Sequence, residues 1–184
     1  MSKTITQLKK RRTFVKYKII SEMKQRETNV YEALPLLREV LNVKGFTKLI
    51  GKSAVWFNAK EAIESPFERL SVGFSEDNVE LITYGLEKVV EACEKHRLQP
   101  PSECANREIY NKYVGMEIKE LRKLVSMVYI RNNYTSIPES TWNKKVNNSP
   151  NRGTVAQFTE ADIIQINQGI DKVTELLRSL KITL

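Results

Sequence analysis

A single histidine, two cysteines and seven glycines in 184 residues leave few starting points for catalysis or metal binding. With His96 as the sole imidazole, acid–base relays that need two such groups have no second member. Cys93 and Cys104 lack CxxC spacing, and a zinc site built on them and His96 would still need a fourth ligand. Two reduced thiols in a cytoplasmic protein are the plainer reading. No glycine-rich phosphate loop, paired-histidine metalloprotease motif or serine elbow is present. The carboxylates sit at helical surface spacing beside Lys and Arg. The chain therefore reads as a non-enzyme with no catalytic, metal or cofactor residues. No apolar run approaches the roughly 18 residues of a membrane-spanning helix, and no secretory leader pattern is read, so no membrane partner is expected.

The sequence does contain a repetition. Phe74-Ser-Glu-Asp-Asn-Val-Glu-Leu-Ile-Thr-Tyr-Gly85 returns as Phe158-Thr-Glu-Ala-Asp-Ile-Ile-Gln-Ile-Asn-Gln-Gly169, a constant offset of 84 residues. Lys88, Val89 and Glu91 return as Lys172, Val173 and Glu175. Upstream, Val30, Leu34, Leu37, Arg38 and Leu41 match Val114, Ile118, Leu121, Arg122 and Val125. Each copy also holds one tryptophan, Trp56 or Trp142. A small helical unit has been duplicated. The division that follows is a basic arm over 1–28, a first repeat over 29–97, a linker over 98–107 and a second repeat over 108–184. The linker is marked by Pro100-Pro101, which stops helix propagation.

The net charge of +8 is unevenly placed. Residues 1–28 carry nine basic side chains against two acidic ones, the first repeat nine against eleven, and the remainder twelve against nine. Lys9, Lys10, Arg11 and Arg12 form the densest run. A compact basic arm engages phosphates with salt-dependent affinity, although charge alone also fits a solvated segment or one docked on an acidic partner.

Periodicity predicts helices almost throughout. Ile5, Leu8, Val15, Ile19 and Met23 recur at helical spacing over 4–27. Residues 30–41 form a second amphipathic segment, in which Pro35 marks either a first turn or a kink. Phe46–Ile50, Gly51, a Ser53 cap and a helix from Ala54 to Ala62 give the layout of a helix-turn-helix. A loop with Pro66 is expected over 63–73, then a long helix from Phe74 to about His96. Ser75 and Asn78 supply half of a capping box. In the second copy the expectation is a helix over 108–127, a turn over 131–136, a short helix over 137–146 and a turn-rich loop over 147–153. A closing helix follows from Phe158 to about Leu180. The fold class is all-α: two tandem helix-turn-helix-like repeats preceded by a basic N-terminal helix.

In a helix-turn-helix the second helix enters the major groove, where Asn, Lys and Arg read base edges or bind phosphates. The first copy offers Lys52, Asn58 and Lys60; the second offers Ser140, Thr141, Asn143, Lys144, Lys145 and Asn147. Trp56 and Trp142 read as anchors that pack their helices onto the domain. The alternative for the Asn and Lys residues is an ordinary solvent-facing helix surface.

The Ser-x-x-Trp short helix, followed by Phe-[Ser/Thr]-Glu-x-[Asp/Asn]-[Ile/Val]-x-x-Ile-x-x-Gly, resembles a small helix-turn-helix-like family of Bacteroides phages and mobile elements. The resemblance covers both repeats and not the arm. It implies a DNA-binding module encoded by a phage or mobile element, and the expectation that follows is a regulator that binds double-stranded DNA in the cytoplasm of a bacterial host. The chain departs from the pattern in its duplication and in Glu61, Glu64 and Glu68, which crowd the first short helix with negative charge. The rival expectation is a virion or assembly protein that packs against another phage protein or forms a homo-oligomer.

Overall fold

The computed structural model describes residues 26–100, 106–151 and 154–184. Lys9, Lys10, Arg11 and Arg12 lie outside the described residues, as does most of the segment expected to be a basic helix. Where description begins, Arg26–Asn29 is a strand, β1, rather than the end of that helix. Asn29 then caps α1 (Val30–Val40), its side-chain oxygen accepting from the Tyr31 N–H at 2.9 Å. Val30, Ala33, Leu34, Leu37 and Val40 recur every three or four residues and are buried, which is why this segment is helical. Pro35 is neither at its start nor in its first turn: the helix begins five residues earlier and carries Pro35 on its exposed side.

Two short helices follow, α2 (Val43–Leu49) and α3 (Ala54–Glu61), capped by Asn42 and Ser53. The stretch expected to be a loop contains a further helix, α4 (Pro66–Val72), with Ser65 as its cap and Pro66 in its first position. The long α5 (Glu76–Lys95) opens on a complete capping box, because the Asn78 side chain also accepts from the Ser75 N–H.

The second copy begins with α6 (Arg107–Leu121), capped by Asn106. The expected continuous helix to residue 127 is broken over 122–126, and Ser126 caps α7 (Met127–Tyr134). The expected turn at 131–136 is thus mostly helix, and the real turn spans 135–138. Then come α8 (Glu139–Val146), a short antiparallel pair β2 (Pro150–Asn151) and β3 (Thr154–Val155), and the long α9 (Glu160–Ser179). The chain closes with β4 (Leu180–Thr183), which pairs in parallel with β1 from Arg26↔Leu180 to Asn29↔Thr183. Leu180 and Ile182 face the core while Lys181 points out to Glu27, a period of two that a helix cannot provide. The protein is mostly helical, with these two small sheets added. Among the described residues no helix is long and apolar enough to cross a membrane.

The two copies are joined by reciprocal contacts between equivalent residues. Leu41 and Val125, equivalent at the repeat offset, form an antiparallel bridge. The Asn42 N–H donates to the Leu124 carbonyl at 2.9 Å, and the Ser126 N–H donates to the Val40 carbonyl at 2.8 Å. Arg178 and Glu94, also equivalent positions, pair where α5 and α9 pack together. Such mutual pairing is what contacts across an approximate two-fold axis look like. Leu98, at the head of the expected linker, is buried, with its backbone N–H and carbonyl both bonded to Asn167 of α9. One hydrophobic core runs through both copies.

Close backbone approach at this seam depends on Gly45. A Cβ there would collide with the Lys123 carbonyl, a backbone group that cannot rotate aside. Gly45→Ala is therefore expected to lower unfolding stability by about 2–3 kcal/mol, the upper part of the usual overpacking range. Urea titration should show the midpoint falling with an unchanged slope; an unaltered midpoint would show that the seam yields freely.

Candidate nucleic-acid interface

Each copy presents a short helix, a turn and a second short helix, followed by the long helix that supports them. In the first copy the turn is made by Gly51, whose φ of 70° is readily adopted only without a Cβ. The Ser53 hydroxyl then accepts from the Trp56 N–H at 3.0 Å and starts α3. In the second copy Thr135 and Ser136 do this work: the Ser136 N–H donates to the Gln165 side chain at 2.8 Å, and Pro138 fixes the entry to α8.

The tryptophans are not equivalent. Counted from the caps at Ser53 and Pro138, the fourth residue is Phe57 in α3 and Trp142 in α8. Both are buried, and both meet the phenylalanine that precedes the long helix: Phe57–Phe74 at 6.3 Å and Trp142–Phe158 at 6.2 Å. Trp56, one position earlier, is half-buried and stands edge-on to Phe74 at 5.7 Å, with the Lys52 ammonium 5.5 Å from its ring. Single-residue identity drew the tryptophans together; cap geometry separates them.

The candidate contact residues divide between the copies. Asn58 accepts from the Arg38 guanidinium at 2.5 Å, and Arg38 also donates to Glu61 at 2.6 Å. Lys60 reaches the Val72 and Gly73 carbonyls at 2.5 and 2.6 Å, closing the end of α4. The polar groups of α3 are thus engaged inside their own repeat.

In α8, Trp142, Lys145 and Val146 face inward, while Ser140, Asn143 and Asn147 are exposed and Thr141 and Lys144 are half-buried at the edges. Residues 140, 143 and 147 recur at three- and four-residue spacing, so they form one stripe along the outer face. A stripe of hydroxyl and amide side chains can both donate and accept, which is the chemistry that reading base edges requires.

Lys145 has another role. It is buried, 9% exposed, and forms an ion pair with Asp162, which also completes the capping box of α9 by accepting from the Thr159 N–H at 2.7 Å. Counted from the same caps, Lys145 corresponds to Lys60, which reaches the Val72 and Gly73 carbonyls instead, and the position of Asp162 holds Asn78, so this ion pair exists only in the second copy. Lys145 was a candidate because lysines are usually solvated, and spacing alone cannot reveal a buried partner 17 residues away. Arg38 and Asp162 were missed for the same reason.

Comparison with protein-family models, curated proteins and solved structures finds no match. Among the described residues no three His, Cys, Asp or Glu side chains gather as a metal site. Cys93 is fully buried, and burial pushes its thiol up to about 11, which keeps it protonated and unreactive.

Burial alone pushes the Asp162 carboxyl up, but the Lys145 ammonium and the Thr159 N–H and hydroxyl together hold it below the ordinary aspartate value of 3.8. A carboxyl that titrates lower when folded stabilises the fold fully above that ordinary value, and the contribution is lost as pH falls through the folded pKa. Asp162→Ala strands a buried ammonium and is expected to cost about 3–5 kcal/mol at pH 7. The gap from the parent protein should narrow steadily as pH drops below 4. A gap that persisted unchanged at pH 2 would show that packing, not the charge pair, is what the substitution removes.

Proposed function

We propose that this protein binds double-stranded DNA through its two short-helix–turn–short-helix units, in the manner of a helix-turn-helix, with α8 of the second copy as the principal reader. The observation that carries the reading is the contrast between the two second helices. The outer face of α8 presents Ser140, Asn143 and Asn147 to solvent, whereas Asn58 and Lys60 of α3 are held by Arg38 and by the end of α4. Negative charge works in the same direction. Glu64 and Glu68 are exposed just beyond α3, where they would repel phosphate, while the residues after α8 bring no acid before Glu160. The resemblance to a helix-turn-helix-like family of phages and mobile elements suggests the cellular role in this reading, transcription control in a bacterial host.

A protein-packing role, as in a virion or assembly component, draws on one observation: α4 exposes Phe67 and Leu70. It assigns the first copy to a protein partner.

Two variant sets test the DNA reading. Replacing Asn143 and Lys144 by Ala should weaken duplex binding by about 1–3 kcal/mol, the worth of a good base contact, and by more than replacing Asn58 and Lys60. Circular dichroism must show both pairs folded first, because Lys60 closes α4. Equal losses would refute the division between copies, and no loss in either set would favour protein packing. Replacing Lys9, Lys10, Arg11 and Arg12 by Ala should weaken binding to all sequences alike. It should also flatten the dependence of affinity on salt by about 0.9 in log–log slope for each phosphate contact removed. An unchanged slope would assign the arm another task.

A further inference from the structure

The helix α4 is built inside out. None of its residues is buried, Phe67 is 81% exposed and Leu70 is 87% exposed. It is held to the protein by polar groups instead. The Arg69 guanidinium lies 4.1 Å from the Tyr31 ring and donates to the Ile63 carbonyl at 2.8 Å, while Lys60 binds the carbonyls at the far end. Phe67 and Leu70, three apart, therefore share the outward face, flanked by the exposed acids Glu64 and Glu68. The second copy has no counterpart; its corresponding stretch contains the β2–β3 pair. An apolar face fixed outward by a guanidinium clamp is a surface waiting for an occupant.

We propose that the occupant is the chain's own basic segment, residues 1–25, docked in cis on the acidic and apolar face of α4. Complementarity is the first argument. The segment carries eight basic side chains against one acidic, and Ile5, Leu8, Val15, Ile19 and Met23 recur at the spacing of a single helical stripe. Such a stripe matches Phe67 and Leu70, and the lysines and arginines beside it match Glu64 and Glu68.

Proximity is the second argument. The segment joins the fold at Arg26, three residues before Asn29, and strand geometry places those ends about 10 Å apart. Tyr31 follows directly, with Arg69 on its ring and its hydroxyl accepting from the Phe74 N–H at 3.1 Å. The segment therefore joins the fold about one short strand away from the residue on which α4 is clamped, a gap it can span, since even wholly helical it would reach about 37 Å. Tethering raises the effective concentration of its apolar stripe at the α4 face to the order of millimolar, an advantage over any free partner. The docking does not rest on the DNA reading. If the segment also binds phosphate, docking withholds it until DNA displaces it.

Photo-crosslinking of the full chain decides the matter. p-Benzoylphenylalanine placed at position 67, and separately at position 70, substitutes for side chains that touch no core, so the fold is preserved. Irradiation at low salt should yield a monomer-sized product whose fragments join the probe to peptides within residues 1–25. The yield should fall several-fold when Glu64 and Glu68 are both changed to Lys, and again between about 0.02 M and about 0.5 M salt, where the charge attraction is screened. Joining to a second copy, seen as a dimer-sized product, would overturn the proposal. So would the absence of arm peptides from both probes at low salt.

Discussion

The pairing of Leu41 with Val125 is the contact on which the arrangement of the two repeats depends. At the end of α1 the chain must leave the helix and start α2, and at the end of α6 it must do the same before α7. Each break exposes backbone donors and acceptors in the middle of the molecule, where leaving them unpaired would be costly. The duplication resolves both breaks together: Asn42 donates to Leu124 and Ser126 donates to Val40. Neither copy can satisfy this exchange by itself. The seam is also tight, which is why Gly45 stands against the Lys123 carbonyl and why the Asn42 side chain caps α2 while donating to the Arg122 carbonyl at 2.8 Å.

From that seam outward, the same frame is repeated with different contents. Gly85 lets α5 settle on Phe46 and Ile50, and Gly169 lets α9 settle on the equivalent Ile130 and Tyr134. Lys88–Glu91 and Lys172–Glu175 pair at the same turn of each long helix. The differences gather at α3 and α8. Counted from the caps, Lys60 and Lys145 are equivalent: Lys60 reaches the Val72 and Gly73 carbonyls in the first copy, whereas Lys145 turns inward to Asp162 in the second. The same lysine thus meets backbone carbonyls in one copy and a buried carboxylate, Asp162 in place of Asn78, in the other.

The parts legible in the sequence were those that repeat with helical period. The long helices, their caps and the short pairs at Gly51 and Trp142 could be placed because apolar spacing and cap residues agree at one offset. α4 was not legible, although Ser65 and Pro66 are ordinary start signals, because Phe67 and Leu70 do not form a buried stripe. The break before Ser126 was hidden because no Gly or Pro marks it; a backbone pairing with a residue 84 positions earlier imposes it. The β1–β4 pair joins four residues from each end of the described fold, too short for a periodic signal. At the candidate interface, exposure of Ser140, Asn143 and Asn147 followed from helical phase. The engagement of Asn58, Lys60 and Lys145 did not, because each partner lies on a different element.

Placing both halves of a two-fold assembly in one chain has a consequence that two separate identical subunits cannot share. In a symmetric dimer every substitution appears twice, so an acid that weakens one contact surface weakens its mate. In the tandem arrangement the seam constrains only the positions that meet across it, and the outer helices are free to diverge. Glu64, Glu68 and the whole of α4 could therefore accumulate beside α3 without altering α8. The buried Lys145–Asp162 pair could likewise arise in one copy only, fixing Trp142 and the phase of α8. An assembly of this kind keeps two-fold packing while giving its two faces separate chemistry: one polar with Lys144 at its edge on α8, the other apolar and acidic on α4.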